Sequence, residues 1–137
     1  MFTPVATELR VQVASDRDIL SARQRGRELA HRVGFGPTDQ AIIATAISEL
    51  ARNIIQYALR GEIQICAIED GNARGIMVAA SDEGPGIASV DQAMQDGYST
   101  SGGLGLGLPG LKRLMDDFEI VSKPGAGTTV TVRKWNR

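Results

Sequence analysis

Aromatic residues are scarce in this sequence of 137 residues, at 4%, and there is almost no excess of one sign of charge over the other. Fifteen basic and 16 acidic residues leave a net charge of -1, which gives no bulk attraction to nucleic acid or to an anionic membrane. So few rings also provide no stacking platform for single-stranded nucleic acid. The N-terminus lacks the long apolar run of a signal peptide or membrane span. We therefore expect a cytoplasmic protein that binds neither nucleic acid nor membranes.

Cysteine is represented once, by Cys66, which cannot form an internal disulfide and suits a reducing compartment. Its apolar, strand-like surroundings over residues 63–68 favour a buried small hydrophobe over a reactive thiol. The length and the 42% apolar content are those of one globular domain with a real core. We therefore predict a single domain over residues 1–137.

Hydrophobic periodicity predicts helices grouped early in the chain and strands grouped around and after them. Asp16 and Thr38 are candidate N-caps for the first two helices, and Gly34 is a candidate C-terminal cap. The expected fold is therefore α+β, a two-layer sandwich in which helices cover one face of a mixed sheet. The predicted strands are 8–13, 62–68, 75–81, 118–122 and 128–134, and the predicted helices are 17–33, 38–59, 90–96 and 109–117.

Glycine is concentrated in one part of the chain, since eight of the 16 glycines fall between Gly84 and Gly110.

Before that stretch, Glu49 and Asn53 are four residues apart and share one face of the second predicted helix. A buried polar pair on an apolar helix needs a partner. One interpretation is a structural hydrogen bond, either N-terminal or between helices. The other is a metal-and-base site, in which Asn53 offers an oxygen to Mg²⁺ and Glu49 accepts a proton.

The segment 81–87 follows the most apolar predicted strand and contains Asp82 between that strand and the glycines Gly84 and Gly86. A carboxylate at the end of a buried strand must find a donor, and an adenine amino group is a suitable one. An ordinary aspartate–glycine turn is the alternative interpretation.

Glycine and leucine alternate over residues 102–110, directly before a predicted helix. Backbone N–H groups and the positive end of the helix dipole could hold a phosphate there. The segment matches neither the dinucleotide fingerprint nor the Walker loop. We expect a mobile lid more than a structural linker. A final Gly125-Ala126-Gly127-Thr128 begins the last strand, where the Thr128 hydroxyl could reach the base site.

In this order and spacing, the four patterns resemble the ATP site of the GHKL superfamily, which includes gyrase, histidine kinases and MutL. The resemblance implies the Bergerat ATP-binding fold. Glu49 would be the base or water orienter, Asn53 the Mg²⁺ ligand and Asp82 the adenine ligand. Related anti-sigma kinases place an arginine just before the second glycine box, but residues 98–101 here contain no cation, so Arg52 or Lys112 would have to replace it. The other implied ATP-binding residues are Gly84, Gly86, Ile87, Gly102, Gly103, Leu104, Gly105, Leu106, Gly107 and Thr128.

Within the superfamily, nearly the whole chain is similar to RsbT-type serine/threonine kinases, above all over residues 45–54 and 96–116. The resemblance implies phosphorylation of a STAS-domain stressosome scaffold or antagonist. It also implies a later switch to a downstream output protein, often a phosphatase. An ATP-binding anti-sigma factor with little kinase activity is the main alternative, and a pure ATPase is the third. A histidine kinase is excluded, because the chain has no dimerising helix pair and no phospho-accepting histidine.

Overall fold

The structure, a computed structural model, describes the backbone of residues 3–86, 94 and 107–136, and side chains from residue 8 onward. The predicted helix 90–96 lies largely outside these residues. So do Ile87 and residues 102–106 of the second glycine-rich segment.

The described elements form one five-stranded sheet with three helices. The strand order is β1-β2-β3-β5-β4, and all four described pairings are antiparallel. The predicted α+β sandwich is confirmed, but the expectation of a mixed sheet was wrong. Tight hairpins such as the β2–β3 turn impose antiparallel pairing, whereas parallel neighbours need long crossovers. The elements are β1 Thr3–Val13, α1 Asp16–Val33, α2 Pro37–Ala58, β2 Gly61–Asp70, β3 Ala73–Asp82, α3 Gly107–Leu114, β4 Asp117–Ser122 and β5 Thr128–Asn136.

The core lies between the helices and one face of the sheet. Alternate strand residues point into it, as the period of two requires. The opposite face is polar where β1 meets β2: Arg10 Nη1 and Gln12 Nε2 donate to Glu62 at 3.3 and 2.8 Å. Helices therefore cover one face of the described sheet. The largest fully buried side chains are Val13, Ile43, Ile47, Leu50, Ile63, Ile65, Ile68, Ile76, Val78, Leu111 and Val132.

Cys66 is 4% exposed, which confirms the prediction of a buried small hydrophobe. Burial, and then the negative charge of Glu8, raise the pKa of its thiol. Because the thiolate is the reactive form, both effects make the sulfur inert.

The first helix begins one residue away from the expected cap. Ser15, not Asp16, is the N-cap, and the Asp18 carboxylate accepts the backbone N–H groups of Ala14 and Ser15 at 2.8 and 3.2 Å. A carboxylate three residues into the helix satisfies free donors better than one at its first residue. The cap at the other end is confirmed, since Gly34 has a φ of 105°.

The second helix begins at Pro37, with Gly36 as N-cap, so Thr38 is inside the helix and does not cap it. Proline is well suited to the first helical position because its φ is preset and no N–H is lost there. The helix ends at Ala58, and its C-cap Leu59 has a φ of 69° although it is not glycine.

Leu59→Gly should stabilise the protein. A side chain in the left-handed region costs about 1–2 kcal/mol, against about 0.5–1 kcal/mol for the greater freedom of unfolded glycine. The Leu59 side chain is 77% exposed, so little packing is lost. We expect thermal melting to show a rise in Tm of roughly 2–4 °C. Leu20→Gly is the matched control, because Leu20 is 65% exposed inside α1 and its replacement should lower Tm.

Candidate active site

Asp82 lies at the end of β3, opposite Gly61 of β2 and Thr128 of β5. Its Oδ1 accepts the Gly84 N–H at 2.9 Å, so the turn that the sequence suggested does form. No other described residue donates to this half-buried carboxylate. Its second oxygen therefore remains able to accept a hydrogen bond from a ligand.

Glycines allow the backbone to close around Asp82. Gly127 has a φ of 84°, and a Cβ there would overlap the Asp82 carbonyl oxygen. Gly86, at a φ of 78°, is held in the same way against the carbonyl of Lys123 in the β4–β5 turn. The first glycine-rich loop and the β4–β5 turn are thus in direct backbone contact.

Thr128 begins β5 beside Asp82, as predicted, and its hydroxyl lies 2.7 Å from the Ser122 Oγ. Ser122 Oγ also donates to the Gly127 carbonyl at 3.2 Å. Ser122 thereby fixes the turn that carries Thr128. The sequence does not single out Ser122, because its contact with Thr128 depends on the pairing of β4 with β5.

The N-box, the name used here for residues 49–53, lies on the C-terminal half of α2. The first glycine-rich loop packs against that half. A Cβ built at Gly84 would lie 2.6 Å from the Ala58 Cβ, and one at Gly61 would lie 2.8 Å from Ile54 Cγ2 and 3.2 Å from the Asp82 Cβ. Ile54 follows Asn53 directly, and Asn53 is half-buried. The fold therefore brings the N-box helix to the same end of the sheet as Asp82.

Glu49 is 6% exposed and is the one charged residue that is buried in the described part of the chain. Its carboxylate accepts a hydrogen bond from Arg52 Nη1 at 2.6 Å, three residues further along α2. This hydrogen bond lies within α2, so it is not the N-terminal or interhelical hydrogen bond considered from the sequence. The hydrogen bond from Arg52 leaves the carboxylate able to accept a proton.

The second glycine box is described only at its end, where Gly107 begins α3 with a φ of 67° and is buried. The helix ends at Leu114, earlier than predicted. Lys112, the second candidate cation, is exposed on α3. The lid prediction rests mainly on residues outside those described.

The donor set around Asn53 fits Mg²⁺ brought by a nucleotide. Among residues 3–86 and 107–136, no three histidine, cysteine or acidic side chains are placed to hold a metal ion. Mg²⁺ binds typically through one or two protein oxygens, with phosphates and waters completing its octahedron. The single amide oxygen of Asn53 would meet that requirement together with the phosphates of a nucleotide.

Comparison with known proteins agrees with this geometry. Residues 13–134 match the family described as histidine kinase-like ATPase domain. The serine/threonine-protein kinase RsbT of Bacillus subtilis is 52% identical over 127 residues, covering 93% of this chain and 96% of the relative. An anti-sigma F factor of Thermoanaerobacter sp. is 35% identical over 107 residues, covering 72% of this chain and 73% of the relative.

Among solved structures, a Mycobacterium tuberculosis protein with RsbU and RsbW domains superimposes with a TM-score of 0.60 at 23% identity. The match covers 94% of this chain and 32% of that chain, and it supports the fold alone. The chain belongs to the histidine kinase-like ATPase family and, within it, to the RsbT-type serine/threonine-protein kinases. No helix of the described residues is long and apolar enough to cross a membrane.

Proposed function

We propose that this protein transfers the γ-phosphate of ATP to a serine or threonine of a STAS-domain scaffold or antagonist in the cytoplasm. It would then bind a downstream output protein, such as a phosphatase. The observation that carries the proposal is the meeting of the Asp82 turn with the N-box helix at one end of the sheet. The proposal assigns Asp82 to the adenine and Glu49, on the same half of α2 as Ile54 and Ala58, to the phosphate side.

The roles follow from the chemistry of the side chains. The second oxygen of Asp82 accepts the adenine amino group, while Asn53 would hold Mg²⁺, which neutralises phosphate charge when bound. The substrate hydroxyl oxygen attacks the γ-phosphorus as the bond to the ADP oxygen breaks, and Glu49 takes the hydroxyl proton. The proposed nucleotide site would also include Gly84, Gly86, Gly107 and Thr128. The proposal assigns Ile87 and residues 102–106 to the same site, although they lie outside the described residues.

The surface of α1 supports a protein partner with an acidic surface. Exposed arginines follow one another along this helix, and none forms an ion pair with another described residue. Arginine is enriched in protein interfaces, and unpaired surface charge steers a partner of opposite sign. These arginines are Arg17, Arg23, Arg25, Arg27 and Arg32.

An ATP-binding interaction module with little kinase activity is the second candidate, and the similarity to anti-sigma F factors favours it. Incubation with γ-labelled ATP, Mg²⁺ and a purified STAS-domain protein separates the candidates. The proposed kinase yields labelled protein, the binding module yields neither labelled protein nor free phosphate, and an ATPase yields free phosphate. Label that stays in ATP would contradict the proposal.

Asp82→Asn should weaken ATP binding while leaving the fold intact. The asparagine carbonyl can still accept the Gly84 N–H, so the turn survives, but the acceptor for the adenine amino group is lost. A hydrogen bond to a charged group is worth about 1.5–3 kcal/mol, or roughly a 10–150-fold rise in Kd. Calorimetric titration with Mg-ATP measures it, and Asp16→Asn on the exposed start of α1 is the control. Unchanged affinity in the folded variant would remove Asp82 from the site.

A further inference from the structure

The ion-pair partner of the buried Glu49 is Arg52, which lies close to the protein surface. Glu49 is almost completely buried, and a buried carboxylate without a compensating charge is costly. The compensation comes from Arg52, whose Nη1 lies 2.6 Å from Glu49 Oε1. The side chain of Arg52 is 41% exposed and that of Glu49 is 7% exposed, so the pair reaches from the interior of the protein to its surface.

We infer that Arg52 is a positioning residue, which holds the Glu49 carboxylate in one orientation for proton transfer. Its guanidinium donates a charge-assisted hydrogen bond to the carboxylate, and that bond fixes the direction of the carboxylate oxygens. The spacing of three residues on one helix keeps the two side chains adjacent whatever the glycine loops do. The inference rests on the proposed role of Glu49 as the base.

The alternative role for Arg52 is the missing cation at the γ-phosphate. To reach a phosphate with the same nitrogen, Arg52 would have to release Glu49. That movement would leave a buried carboxylate without a partner, at the moment when it must be aimed at the substrate hydroxyl. The observed pairing therefore engages Arg52 with Glu49, and a contact with a phosphate would have to use its other nitrogens.

A double-mutant cycle separates the two roles, because residues that act as a unit have strongly non-additive effects. We expect Arg52→Gln to lower kcat about 100-fold, the loss that slight misplacement of a reacting group can cause. The Kd for Mg-ATP should stay near the wild-type value. In the Glu49→Gln background, adding Arg52→Gln should lower kcat no further.

Arg52→Lys provides the second arm, since it keeps the charge but not the planar fork, and it should recover part of the lost kcat. Thermal melting of each variant shows whether it is folded, and Arg52→Lys carries the test if Arg52→Gln does not fold. Losses in kcat that multiply in the double variant, together with weaker ATP binding in both backgrounds, would overturn the inference in favour of phosphate contact. A wild-type protein without any phosphotransfer would instead refute the proposed function. Full activity in Glu49→Gln would overturn both the assignment of Glu49 as the base and this inference.

Discussion

Glu49→Gln should leave ATP binding close to wild type and lower the rate of phosphotransfer by about 10²–10⁴-fold, the usual worth of general-base catalysis. Glutamine keeps the shape of the side chain and its carbonyl still accepts the hydrogen bond from Arg52, but it cannot accept the substrate proton. Because Glu49 is buried, the neutral side chain also avoids a desolvation penalty, so the fold should persist. Single-turnover transfer from labelled ATP measures the rate, and calorimetry measures the binding.

Glu69→Gln is the matched control for this result. Glu69 lies on β2 beside the β2–β3 turn, at the end of the sheet opposite Asp82. Its only described contact with a cation is a 3.9 Å ion pair with Arg74. The control should behave as wild type in both measurements. Equal losses of binding and turnover in Glu49→Gln would make Glu49 an organiser of the site and not the base.

Asn53→Ala should abolish Mg²⁺-dependent phosphotransfer with a smaller loss of nucleotide affinity. The amide oxygen is the proposed protein ligand of the metal, while the phosphates keep their backbone contacts. A readout independent of activity is the affinity for ATP measured with Mg²⁺ and with a chelator. We expect Mg²⁺ to strengthen binding in the wild type and to lose that effect in Asn53→Ala.

Two variants frame the interpretation of this experiment. Asn53→Asp keeps an oxygen at the same place and should retain the Mg²⁺ dependence of ATP binding. Asn72→Ala, in the exposed β2–β3 turn, should change nothing. If Asn53→Ala still transfers phosphate at the wild-type rate, the amide serves the packing of α2 and not the metal.

The sequence was sufficient for the fold class because the apolar periods of α1, α2 and β3 are long and unambiguous. It was insufficient for the direction of strand pairing, because β3 and β5 are separated by 45 residues and their relative direction leaves no local pattern. The same holds for the helix starts. Both Asp16 and Ser15 are good N-cap types, and only the position of the Asp18 carboxylate decides between them.

The candidate site could be proposed from residue types at fixed spacings, but the contacts of its residues could not be predicted. Nothing in the spacing of Glu49 and Arg52 distinguishes a guanidinium aimed at the carboxylate from one aimed at a phosphate. Ser122 was likewise hidden, because its bond to Thr128 exists only once β4 and β5 are paired in register. Side-chain direction and cross-strand register are properties of the assembled sheet.

The close approach of Gly127 to the Asp82 backbone limits which substitutions this position can accept. At Gly26, the obstacle to a Cβ is the far end of the Ile47 side chain, so a smaller residue at position 47 could restore the lost space. At Gly127 the obstacle is the main chain of Asp82, which every amino acid possesses. No second-site change of side chain can therefore rescue a replacement of Gly127. Position 127 therefore accepts only glycine, while Gly26 can be replaced if Ile47 is replaced by a smaller residue.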